Sequence, residues 1–157
     1  MASSTISTVI IRNLLNNEDF ARAVVPHFKE EYLEDAAERA IMAHIRELFV
    51  KHNTVPTTSA IKVCLESSNL DQTDFASATE LIESIEAYDG NNESTEWLVA
   101  ETEKFCQERA LFNALLEAIT IKDGKSKKDK HAIPEILKEA LGVSLHKYRT
   151  RLFCECG

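Results

Sequence analysis

WLVAETEKFCQERALFNALLEAITIKDGKSKKDKHAIPEILKEALGVSL, residues Trp97 to Leu145, holds two strongly helical runs separated by a short lysine-studded loop, Lys122 to Lys130. On the first run Leu98, Phe105, Phe112 and Ile119 recur every seven residues. On the second, Ile133, Ile136, Leu137, Ala140 and Leu141 form an i, i+3, i+4, i+7, i+8 stripe. The spacing predicts an antiparallel helical hairpin that buries the two stripes against each other. Trp97, Leu111 and Leu116 fall outside a single seam, and surplus apolar surface on a hairpin calls for a further partner.

Upstream, the polar stretch from Asp89 to Ser94 breaks the apolar pattern and separates the hairpin from a helical globule. Within that globule, Ile6, Val9, Ile10 and Leu14 share a face of a helix over Thr5 to Leu15. Asn17 is placed to cap a short helix carrying Phe20, Val24 and Val25, which Pro26 follows. From Leu33 to His52, residues Ala37, Ile41, His44, Ile45, Leu48 and Phe49 line one side, with Glu34, Glu38, Arg39 and Glu47 largely elsewhere. The segment Asn53-Thr54-Val55-Pro56 ends that helix. Thr57, Thr58 or Ser59 can cap the next, which buries Ile61, Val63 or Cys64, and Leu65. A last helix before the break carries Phe75, Ala78, Leu81, Ile82 and Ile85.

With 157 residues, 44% of them hydrophobic, the chain has material for one ordinary core, or for a core of about 90 residues with a protruding extension. Four glycines and three prolines are few, which favours helices with short connections. The fold class expected is therefore all-α, a small globular helical bundle followed by a protruding antiparallel helical hairpin. The expected division is 1-148 as one domain, comprising the globule 1-90 and the hairpin 94-146, with 149-157 a divergent tail.

A net charge of −8 argues against a domain built to coat duplex phosphate, so direct DNA binding is expected to be weak or absent. The five lysines between Lys122 and Lys130 are read first as solvating the hairpin tip. No run of about 18 apolar residues occurs, and the start MASSTIST lacks the features of a signal peptide, so a cytoplasmic chain with no membrane partner is expected. In that compartment Cys64 and Cys106 read as packing thiols. Cys154 and Cys156 lack two further ligands for zinc, and no metal is expected.

No catalytic constellation stands out. His27, His44, His52, His131 and His146 are not selected by any spacing, with His44 on an apolar helix face and His131 in a loop or capping position. Glu30-Glu31, Glu34-Asp35 and Glu101 with Glu103 read as solvated helix surface rather than as acids in an apolar pocket. Neither GxxxxGK[ST] nor GxGxxG occurs, so no nucleotide cofactor is expected. Trp97, Phe105 and Phe112 read as packing residues, not as a base-stacking platform beside Arg109. A hydrolase using Cys106 is the remote enzyme alternative.

Taken together, the stretch from Trp97 to Phe105 (WLVAETEKF), the continuation from Gln107 to Ala114 (QERALFNA) and the run from Ala132 to Leu141 (AIPEILKEAL) followed by Val143-Ser144 resemble the N-terminal domain of DnaB-type replicative helicases. Within that family they are most similar to the primase-helicase subunit of T-even-type bacteriophages. The run from Tyr32 through Val55-Pro56 to the helix over Ala60 to Glu66 is also similar, so the resemblance spans about Ile6 to Leu145.

The resemblance implies a non-catalytic collar domain that mediates oligomerisation and interaction with primase or a helicase loader in DNA replication, in the host cytoplasm if phage-encoded. Its hairpin would pair with that of another subunit. Trp97, Leu98, Phe105, Phe112, Leu116, Ile119, Ile133, Ile136, Leu137 and Leu141 are the expected interface. In the family a linker and an ATP-hydrolysing motor follow, whereas the stretch from His146 to Gly157 does not resemble that linker. Two readings stay open: a truncated helicase, or a stand-alone regulator that binds or poisons a helicase ring.

Overall fold

From the second helix to the sixth, each begins where a polar side chain takes up a backbone N–H that the helix itself leaves unpaired. The structure, a computed structural model, describes residues 5–88, 90 and 93–145. In it α1 spans Thr5–Asn16 and α2 Glu18–Val24, with Asn17 Oδ1 accepting from the Phe20 N–H at 3.1 Å. Asp35 caps α3 (Ala36–His52) and Thr57 caps α4 (Thr58–Glu66). Asp71 caps α5 (Gln72–Ala87). Ser94 Oγ accepts from the Trp97 N–H at the start of α6 (Thr95–Lys122), and α7 covers Ile133–Leu141. The class is all-α, with no strand among the described residues.

The chain divides into two compact units, one ending at Val99 and one beginning at Ala100. In the first, α3 is the central element, packed against α1, α4, α5 and a 3-10 turn at Glu30–Tyr32. Ile10, Ile11 and Leu14 of α1, Phe20 and Val24 of α2, Ile41, Met42 and Ile45 of α3, Ile61 and Leu65 of α4, and Ile82 of α5 form a closed apolar core. Asn53, left-handed at φ 54°, ends α3, and Arg22 donates to both its side-chain and backbone oxygens at 3.2 Å.

Three sequence expectations for this unit need revision. The third helix starts at Ala36 rather than Leu33, because the chain before its cap is spent on the 3-10 turn and an extended step at Leu33. Glu38 is not on a solvated face. It is buried, and its Oε2 accepts from Ser7 Oγ of α1 at 2.8 Å. Of the alternatives Val63 and Cys64, Val63 is mostly exposed and Cys64 is partly covered.

The connection from α5 to α6 is tied to α1. Arg12 Nη2 donates to Glu93 Oε1 at 2.8 Å, and its guanidinium lies 3.8 Å from the Tyr88 ring centroid. Asn17 Nδ2 donates to Thr95 Oγ1 at 3.0 Å, so one residue both caps α2 and holds the start of α6.

In the second unit α6 runs on to Lys122 and is closed by Gly124, whose φ of 74° suits a residue without a Cβ. The Gly124 N–H donates to the Ile121 carbonyl at 3.0 Å and the Lys125 N–H to the Thr120 carbonyl at 3.1 Å. A 3-10 turn at Lys130–Ala132 leads into α7, where Pro134 sits in the first turn and forfeits no helical hydrogen bond. After α7 the chain returns beside α6: Gln107 Nε2 donates to the Val143 carbonyl at 3.0 Å, and Glu103 Oε2 accepts from Ser144 Oγ at 3.0 Å and from the Leu145 N–H at 2.7 Å. Nearer the turn, Lys128 Nζ pairs with Glu117 Oε2 at 2.6 Å. These pairings run in opposite directions along the two segments, as an antiparallel return requires. The stretch 146–157, including the Cys154 and Cys156 thiols and the proposed tail, lies outside the described residues.

Candidate protein-interaction surface

The second unit buries one stripe of α6 and leaves another open. Glu103, Cys106, Ala110, Ala114 and Ile121, spaced by three, four or seven residues, are buried. Glu103 therefore departs from the solvated surface expected of it. Its carboxylate is the acceptor that fixes the returning chain, and a carboxylate with two protein donors is well placed for burial.

The open stripe is Phe105, Arg109, Phe112, Leu116 and Ile119, at intervals of four, three, four and three residues. Phe105 is half-buried, while Phe112, Leu116 and Ile119 are 45%, 49% and 55% exposed. Arg109 holds its guanidinium 4.6 Å from the Phe112 ring centroid, a cation–π contact that leaves the apolar edge of the stripe uncovered. Leu115, exposed to a similar degree, widens the patch. The heptad pattern passes over Leu115, which lies off the seven-residue repeat; its position one residue before Leu116 is the signal that the sequence offers for it.

The remaining expected interface residues fall in different environments. Trp97 is about half exposed, in the first unit, and Leu98 is fully buried. Leu98 therefore offers no surface in this chain as folded. On α7 only Ala140 is buried; Ile133, Ile136 and Leu137 are partly covered, and Leu141 is 69% exposed. The second unit thus covers α7's stripe only in part.

Among the described residues, the titratable side chains are held by local contacts. Burial, helped by the Glu103 carboxylate, pushes the Cys106 thiol up to about 12, so at pH 7 only about one molecule in 10⁵ carries the thiolate that a nucleophile needs. The His131 Nδ1 lies 2.6 Å from Asp129 Oδ2 on the exposed turn. Lys62 and Glu86 pair at 2.7 Å on the surface, each favouring the other's charged form. No group of three or more His, Cys, Asp or Glu is arranged to hold a metal among the described residues, and no described helix is long and apolar enough to cross a membrane.

The chain, helical and without strands among the described residues, resembles in sequence the DnaB-type replicative helicases. It is similar to the DnaB-like replicative helicase of Enterobacteria phage T4, with 30% identity over 149 residues. The match takes in 89% of this chain and 31% of the relative, so the chain spans about a third of the length of the protein it matches. No family model matches the chain.

Proposed function

We propose that this chain is a non-catalytic collar domain of a phage-type replicative DNA helicase, working in DNA replication by self-association through α6 and α7. The uncovered stripe of Phe112, Leu116 and Ile119 is the observation that carries this reading. Apolar side chains at four- and three-residue intervals are the pattern by which one helix packs along another. An equivalent helix from a second copy would cover the stripe in a self-complementary contact, as two-fold dimers do. The likeness to a DnaB-like helicase over most of the chain supports placing that contact in a replicative assembly. Primase or a helicase loader would then bind a surface left free by the assembled collar.

Light scattering over a series of protein concentrations tests the reading. The average mass should rise with concentration from monomer to dimer or beyond. A chain that stays monomeric at high micromolar concentration, and binds neither an intact replicative helicase nor a primase, would overturn it.

A further inference from the structure

Arg109 is the one charged residue in the open stripe of α6. Phe105, Phe112 and Ile119 hold one position of its seven-residue repeat and Arg109 and Leu116 the other, the d and a positions by which two helices lie side by side. Arg109 is partly covered, and its guanidinium stacks on the Phe112 ring, so the charge lies within the seam rather than on the outer face of the helix.

We propose that Arg109 decides the direction and register in which a second copy covers the stripe, a role that rests on the self-association through α6 proposed above. A parallel partner in register sets each a residue against its own copy, which brings two Arg109 guanidiniums together where water is excluded. Like charges so placed disfavour that arrangement. An antiparallel partner sets a against d instead. Arg109 of each copy then meets Phe112 of the other, and Phe105 of each meets Leu116 of the other. A planar guanidinium can stack on two rings, so Arg109 keeps its own Phe112 while it takes the second. The same register brings Glu101 beside Lys122 of the other copy, an opposite-charge pair at the edge of the seam, where such pairs set orientation more than strength.

Carbodiimide coupling of the full chain, which joins a carboxylate to an amine in direct contact, reads the direction. Glu101 and Lys122 sit near opposite ends of α6, roughly 30 Å apart at about 1.5 Å per residue, so an amide between them forms only across two copies. The Lys128–Glu117 pair, in contact at 2.6 Å within one chain, is the internal control. Peptide mapping of the coupled dimer should show the Glu101–Lys122 link. Arg109→Leu should associate at least as tightly, yet give roughly half as much of that link per dimer or less, because parallel pairing is no longer excluded. Arg109→Lys, which keeps the charge and loses the planar stacking, should keep the link and associate more weakly. Circular dichroism should be unchanged in both variants. A dimer of the unmodified chain without the Glu101–Lys122 link, or an Arg109→Leu dimer that carries it in full, would overturn the inference and leave self-association standing. An unmodified chain that stays monomeric in light scattering would overturn both.

Discussion

Ser7 and Glu38 show how a single buried polar pair joins two helices. Each belongs to a different helix, and the 2.8 Å bond between them is shielded from water. Ser7→Ala removes the donor while leaving the carboxylate buried, a loss that ordinarily costs about 1–3 kcal/mol. Urea unfolding should show that decrease with little change in slope. Glu38 is hard to pick out in the sequence because an acid among other acids reads as solvated surface. A finer signal is present: Asp35-Ala36-Ala37-Glu38 places an acid three residues after a capping aspartate, a spacing typical of a helix N-terminus.

Cys106 makes the opposite point, since reading it as a packing thiol needs only its apolar neighbours. Its thiol is held protonated up to about 12, against an ordinary 9.0. Peptide-mapped alkylation at neutral pH should label Cys64 well before Cys106, with Cys106 reacting only as the chain unfolds. Because the folded value is the higher one, the thiol's contribution is intact below pH 9 and is lost as pH rises towards 12. By pH 10 the unmodified chain should lose roughly 1 kcal/mol more, relative to neutral pH, than Cys106→Ala.

At the scale of elements, helix boundaries are legible in the sequence wherever a cap or a breaker is specific. Asn17 caps α2 as expected, α3 ends at His52 with Asn53 as its cap just before Val55-Pro56, and Thr57 is the cap among the three residues considered. Single-face periodicity undercounts α3, which is packed on several sides; this is why Met42 joins the core without belonging to the stripe that the spacing predicts. On α6 the seven-residue repeat from Leu98 to Ile119 is real but does not lie on one environment, passing from a fully buried residue to a mostly open one. A seven-residue repeat on a straight helix also drifts by about 20° per heptad, so a shared spacing does not guarantee a shared face. The closure of α6 depends on Gly124. Gly124→Ala places a Cβ at a positive φ and should lower stability by about 1 kcal/mol, measurable as a lower urea midpoint.

For the whole molecule, charge and apolar surface pull in opposite directions. Copies of a chain with net charge −8 repel one another, while the stripe of Phe112, Leu116 and Ile119 favours their association. Added salt screens the repulsion and leaves apolar contact in place, so self-association should strengthen as salt rises from about 0.05 to 0.5 M. The heptad spacing marks out most of the stripe, but exposure decides which of its members can meet a partner. Leu98 is fully buried, and Leu115 is about half exposed beside the stripe.

Self-association through α6 is the central claim, and Leu116→Glu with Ile119→Glu tests it most directly, since both side chains are about half exposed and their replacement leaves the core intact. Molecular mass by light scattering should rise with concentration for the unmodified chain and stay at the monomer value for the double variant, with the two circular dichroism spectra superimposable. Equal mass for the two proteins at every concentration, whether both assemble or neither does, would contradict the claim.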